Sequence, residues 1–389
     1  MKCGVIVLCL MLAMPVTAAA QREEAQIDEQ TQIQMEQTID SLVNGLSLDD
    51  ELRITIPGAE SEQGIREAVR SIAKGETMSA EEALELLFRA AANTIKSFGA
   101  LLVALMLPVL LGAIVTRTLG ERQGELGNLC ANVCFMLVLI PLISLVTTEL
   151  SHAKETIVSM TVHMEKLLPI LLALLTAVGG NASSAFMHPV VVAASGSMVF
   201  LAREVILRLV MCTCAVTAIN HLSASAHLTR LAQLLRSAVC WLLGVSFTVF
   251  LGAMSLQGVC SASLDGVAIR AAKYAVDNFV PIVGGMFSDT MDTLVGCTLI
   301  VKNALGLVSV LVLCGALVTP LMSTAASVFA LKLSAALLEP VAHRQVIAAI
   351  GDFSKTLVLF LITMLCVATM YFLLIVQILL MGNLTVMMR

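Results

Sequence analysis

LVLFLITMLCVATMYFLLIVQILL, residues 357–380, is 24 consecutive positions without a charge. At 1.5 Å per residue an α-helix of that length covers a hydrocarbon core of about 30 Å, so this stretch predicts a membrane span. Four more runs have the same character: Phe98 to Val115, Leu129 to Thr147, Ala238 to Leu256, and Leu307 to about Val328. The whole chain agrees with them. Of 389 residues, 58% are hydrophobic and only 13% charged, where a soluble domain carries about 25% charged residues. The apolar content is mostly Leu, Val, Ala, Met and Ile, with 4% aromatics and one tryptophan, Trp241. That composition selects helices over a barrel. The predicted fold class is therefore all-α: a polytopic membrane protein with about 6–8 membrane segments, some of them broken or re-entrant half helices.

The chain divides into three parts. Lys2 precedes an apolar core from Gly4 to Met14, Pro15 breaks it, and Ala18-Ala19-Ala20 offers a small-residue cleavage site, so residues 1–20 read as a signal peptide. A retained anchor is the alternative, and either sends the following residues across the membrane. Residues 21–97 form an acidic extracytoplasmic region, with 16 Asp or Glu against 7 Lys or Arg between Gln21 and Lys96. This region ends in an amphipathic helix that Ser79 and Glu82 would cap. Its negative charge repels phosphates, which argues against nucleic acid and anionic lipid as partners. Residues 98–389 form the membrane domain.

Between Leu167 and Ile219 the apolar pattern is interrupted by GGNASSAFMHP and by Arg203, Glu204 and Arg208. This predicts two half-length segments, Leu167 to Val178 and Val190 to Ala202, followed by a shorter span from Val205 to Ile219. Whether the half segments fold back or cross decides the orientation of the C-terminal half. With the acidic region outside, Arg117 and Arg122 are cytoplasmic; if the half segments form a hairpin, Arg230, Arg236, Lys332, Arg344 and Lys355 are cytoplasmic too and residues 261–306 extracytoplasmic, in keeping with the excess of basic residues in cytoplasmic loops.

Two stretches pair a Pro-Ile step with a later Gly-Gly: one around Pro169, Gly179, Gly180, Asn181 and Pro189, the other around Pro281, Gly284 and Gly285. Proline removes a helical donor and glycine lowers helix stability, so both are expected to break or kink. Interrupted helices at membrane depth point to a transport path; close helix packing at small residues is the competing account. Near the second stretch, Asp265, Arg270, Lys273, Asp277, Asp289, Asp292 and Lys302 form the richest polar set. Lys273 and Asp277 are spaced to pair along a helix, and Asp289 with Asp292 share a face.

No nucleophile stands near these carboxylates. There is no HExxH, Walker loop, GxGxxG or GxSxG, so no catalytic residue, metal ligand or cofactor is assigned. The histidines read as loop or boundary residues, His152 and His163 among them. Cys130 with Cys134, and Cys212 with Cys214, lack a second pair at metal-site spacing. Cys260 and Cys297 could form a disulfide. Arg203 and Arg208 could hold a phosphate, pair with Glu204, or snorkel.

PILLALLTAVGGNASSAF (169–186) and SLDGVAIRAAKYAVDNFVPIVGGMFSDTMDTLVGCTLIVKNALG (263–306) resemble the stage III sporulation protein AE family, and the layout agrees across nearly the whole chain. The resemblance implies a role in endospore formation, in the mother-cell membrane surrounding the forespore. It further implies a place in a secretion-like channel complex acting after engulfment, with the other membrane proteins of that assembly as partners. Self-association into a homo-oligomer stays open, as does a self-contained small-solute permease. The family supplies no catalytic residues to carry over.

Overall fold

The computed structural model describes residues 103, 106–110, 125–179, 181–222, 228–279, 284–340, 342 and 344–387, without the side chains of 125–132, 134, 181–183, 186, 259–293 and 385–387. The signal-peptide and acidic-region readings lie outside these residues, and so do most of the span from Phe98 to Val115, Gly180, Pro281 and His343. The described chain is helical, with no strand. It runs α1 (Glu125–Ala177), α2 (Asn181–Phe200), a π-helical turn (Leu201–Ile206), α3 (Leu207–Leu222), α4 (Thr229–Phe279), α5 (Gly284–Leu338) and α6 (Arg344–Met387). Among the described residues, five segments are long and apolar enough to cross a membrane: Phe135–Ala177, Met187–Leu222, Thr229–Gly258, Leu294–Leu338 and Arg344–Leu384.

Three of the sequence-derived spans fall inside α4, α5 and α6. The region from Leu129 to Ile219 differs. Residues 148–166, expected to be a loop holding His152 and His163, are helical, and the half segment from Leu167 to Val178 is the C-terminal end of α1. The physical reason is a stripe at helical spacing. Val146, Ala153, Ile157, Met160, Met164, Leu167 and Leu171 are all 0–1% exposed, while no glycine or proline occurs between Leu142 and Leu168. The charges that lower the local hydropathy lie mostly on the other side of the helix, so one continuous buried face survives them. Likewise Val190 to Ala202 and Val205 to Ile219 are one continuous helical segment, joined by the π turn around Arg203 and Glu204, which keeps Ala202 and Ile206 buried.

The prolines do not terminate their helices. Pro169 lies within α1 and Pro189 within α2, both exposed. Instead the chain reverses at Gly179, whose φ of 103° is the left-handed conformation that favours glycine. The Gly179 amide donates to Thr176 O at 2.9 Å, and Ser184 Oγ donates to Leu172 O at 3.4 Å across the turn. Gly179→Val is expected to lower the unfolding midpoint of the solubilised protein, a loss of about 1–2 kcal/mol. Gly196→Ala, at a helical glycine where an added Cβ meets nothing within 4 Å, serves as the neutral control in the same thermal melt.

Helix α6 is the hub of the bundle. It packs against α5 and α1 on one side and α4 and α3 on the other, and α2 packs on both α1 and α4. Its buried stripe, Phe353, Leu357, Phe360, Met364, Val367, Tyr371, Leu374 and Ile378, is 0–3% exposed throughout. At roughly 25 cal/mol per Å² of buried apolar surface, such continuous stripes dominate the cohesion of the parts of the bundle that meet water. Within lipid, close packing and interhelical hydrogen bonds take over that role.

Candidate functional site

In a bundle this apolar, the buried polar groups mark where the sequence does something other than pack. They gather in distinct layers along α6.

At its N-terminal end, Asp352 joins three helices. Its Oδ2 lies 3.1 Å from His221 Nε2 of α3, while Oδ1 accepts from Arg236 Nη1 of α4 at 3.3 Å and from Lys355 Nζ at 3.0 Å. Arg236 Nη2 also donates to Asp352 O at 3.0 Å and lies 3.5 Å from Thr217 Oγ1. Gln345 Nε2 donates to His221 O. Arg236 and Lys355, both expected at the cytoplasmic side, thus converge at one end of the bundle.

Glu149 of α1 is 2% exposed and faces α5. Its Oε2 accepts from Thr324 Oγ1 at 2.6 Å and its Oε1 from Ser327 Oγ at 2.7 Å. Thr324 lies one turn beyond Pro320, whose missing N–H removes a helical hydrogen bond from α5. The carboxylate occupies a position on the buried stripe of α1, between Val146 and Ala153, where an apolar side chain would otherwise sit.

Further along, Tyr371 O–H of α6 donates to Thr161 Oγ1 of α1 at 3.1 Å. His163 Nε2 lies 3.4 Å from Ser309 O of α5. Next come Gln377 Nε2, donating to Met254 O at 2.7 Å, and the buried Gln257 of α4, whose Nε2 is 2.7 Å from Met187 Sδ.

The last layer is built on Lys302 of α5, which is fully buried. Its Nζ donates to Ile378 O at 3.3 Å and Leu379 O at 3.1 Å, carbonyls that use their second lone pair for it. Gly382 gives the ammonium room, since a Cβ there would overlap Nζ. Asn303 Nδ2 donates to Asn383 Oδ1 at 3.3 Å beside it.

Of these groups Lys302 belongs to the polar set near the second motif, and Asp352 and Glu149 to neither motif. Glu149 and Lys302 carried one usable signal, a lone charge at a buried helical position, which hydropathy averaging hides. Of the motif residues, Gly179 makes the turn, and Pro169 and Pro189 lie exposed inside helices. Asp265, Arg270, Lys273 and Asp277 lie along α4, and Gly284, Gly285, Asp289 and Asp292 in the first turns of α5. Their side chains, like those of Asn181 and Cys260, fall outside the described residues. Cys297 is buried and carries a free thiol, so the disulfide considered with Cys260 is not formed. Arg208 pairs with Glu204 one turn back, one of the three roles open to it from sequence. Among the described residues, no three His, Cys, Asp or Glu side chains come together as a metal site would need.

Comparison with known proteins gives two results. A family model described as "Stage III sporulation protein AE (spore_III_AE)" matches residues 64–382. A protein of Bacillus subtilis (strain 168) named "Stage III sporulation protein AE" is 30% identical over 314 residues, covering 80% of this chain and 79% of the relative. No solved structure matches.

Proposed function

The chain belongs to the stage III sporulation protein AE family, and from that membership we propose that it serves as a non-enzymatic membrane component of the channel complex between mother cell and forespore. A role in sporulation comes with the family; the channel is our reading. In this reading the protein sits in the mother-cell membrane surrounding the forespore, acts after engulfment, and works with the other membrane proteins of that assembly. The observation that carries it is the match of the family over almost the entire helical bundle, combined with what the buried polar layers do. Asp352, Glu149 and Lys302 each spend their charge on neighbouring helices. In this reading their role is to hold the shape of the described bundle.

The acidic region and the interrupted segments around Gly179 and Pro281 are then contact elements for partners. Deleting the gene in its sporulating host should leave engulfment intact and lower heat-resistant spore yield by orders of magnitude, restored by the wild-type gene in trans. Normal yield in the deletion strain would refute the proposal. Solute uptake by the purified protein alone in liposomes would replace it with the permease reading.

A further inference from the structure

The layers fix the helices relative to one another along the bundle axis. His221, Arg236 and Asp352 share one level, Thr161 and Tyr371 another, Lys302 and Leu379 a third. From Asp352 to Leu379 along α6 is about 40 Å at 1.5 Å per residue, enough to contain a hydrocarbon core. Between these levels α4 (237–257), α5 (303–323) and α6 (356–378) carry no Asp, Glu, Lys or Arg.

The other two segments do. Between the same levels α1 carries Glu149, Lys154, Glu155, Glu165 and Lys166, and the α2–α3 segment carries Arg203, Glu204 and Arg208. Arg203 is 18 residues from His221, about 27 Å along the helix and level with Tyr371. Lys154, Glu155, Glu165, Arg203 and Arg208 are exposed, Arg208 with 72% of its side chain. Of the other exposed positions of α1 between Glu149 and Lys166, Ser151, His152 and Ser159 are polar and Val162 is apolar. The α2–α3 segment also exposes Val192 and Phe200 beside its charges, whereas α4 exposes Trp241, Val249 and Leu256 at 66–72% with no charge among them, a surface suited to lipid.

We propose that α1 and the α2–α3 segment, which pack on each other through α2, line a water-filled path through the membrane, while α4 turns to lipid. Hydrocarbon strongly disfavours exposed carboxylates and guanidinium groups, and glutamate is too short to snorkel from this depth. Both signs of charge are interspersed along each of the two segments, which suits hydrated polar solutes of either sign rather than one selected ion. The π turn itself carries Arg203 and Glu204 at this depth. The water-filled path deepens the channel reading but rests only on membrane insertion.

The test is thiol accessibility of the full-length chain in membranes of a non-sporulating expression host, so that a failed result here is separable from a failed spore-yield assay. Single variants Ser159→Cys (α1), Ser197→Cys (α2) and Val249→Cys (α4) are exposed to a membrane-impermeant quaternary-ammonium methanethiosulfonate. Modification is read peptide by peptide by mass spectrometry. Native Cys212, exposed on α3, is followed in the unsubstituted chain, so one reading needs no mutation. Thiolates form readily only in water, so the α1, α2 and α3 positions should react at least ~10-fold faster than Val249→Cys. Protection of Ser159→Cys, Ser197→Cys and Cys212 to the level of Val249→Cys would overturn the proposal.

Discussion

Gly382→Ala is expected to destabilise the solubilised protein by about 3 kcal/mol, because the added methyl displaces a buried ammonium from its acceptors. Lys302 is fully buried, and the hydrogen bonds described for its Nζ go to Ile378 O and Leu379 O. The Cβ of an alanine at 382 would occupy the place of Nζ. The side chain must then give up its place against these carbonyls, and a buried charged group without them is costly. Removing the charge should therefore relieve the strain. In the double variant Lys302→Met/Gly382→Ala the unfolding midpoint should recover at least half of the loss caused by Gly382→Ala alone. A thermal melt of the four proteins of this cycle decides the matter. An unchanged midpoint for Gly382→Ala, or no rescue by methionine, would show that the ammonium does not depend on that notch. Gly306, where a Cβ would press on Leu379 side-chain atoms, is a second close approach between α5 and α6 and should tolerate alanine better, since a leucine can change rotamer.

Asp352→Ala should cost about 2–3 kcal/mol and loosen the end of the bundle where α3, α4 and α6 meet. The carboxylate accepts from His221, Arg236 and Lys355, and the first two side chains are only 10% and 16% exposed. Without it Arg236 keeps the Asp352 carbonyl and a long contact to Thr217, but its charge is left partly buried and uncompensated. Asp352→Asn retains an acceptor oxygen and should lose less. Lys355→Ala should lose under about 1 kcal/mol, because Lys355 is 66% exposed and water competes for it. Thermal melts rank the three, and limited proteolysis between α3 and α4 reports the loosening. A Lys355→Ala loss equal to that of Asp352→Ala would sink this account.

The membrane class was open to reading from composition, because charge-free runs long enough to span a bilayer seldom occur in chains that fold in water. The family was legible from two local motifs. The continuity of α1 was not. A hydropathy average sees Glu149, Lys154, Glu155, Glu165 and Lys166 as a gap between spans, whereas the helix sees a buried stripe that only Glu149 enters, with its carboxylate hydrogen-bonded to Thr324 and Ser327. The same holds at Arg203 and Glu204, where a π turn absorbs what reads as a break. Pro169 and Pro189 misled in the opposite sense: each lacks one donor, yet the helix runs through, and the reversal comes at Gly179, where the backbone needs a positive φ.

What the sequence by itself determined, then, is a helical membrane protein of this family with an interruption in the stretch from Pro169 to Pro189, because each follows from local chemistry: apolar length, motif identity, the helix-weakening of glycine and proline. Only the tertiary structure decided which lone charges are partners. Glu149 meets Ser327 across 178 positions and His221 meets Asp352 across 131. Such contacts are set by how helices stack in register, a property of the whole bundle that no window of sequence contains.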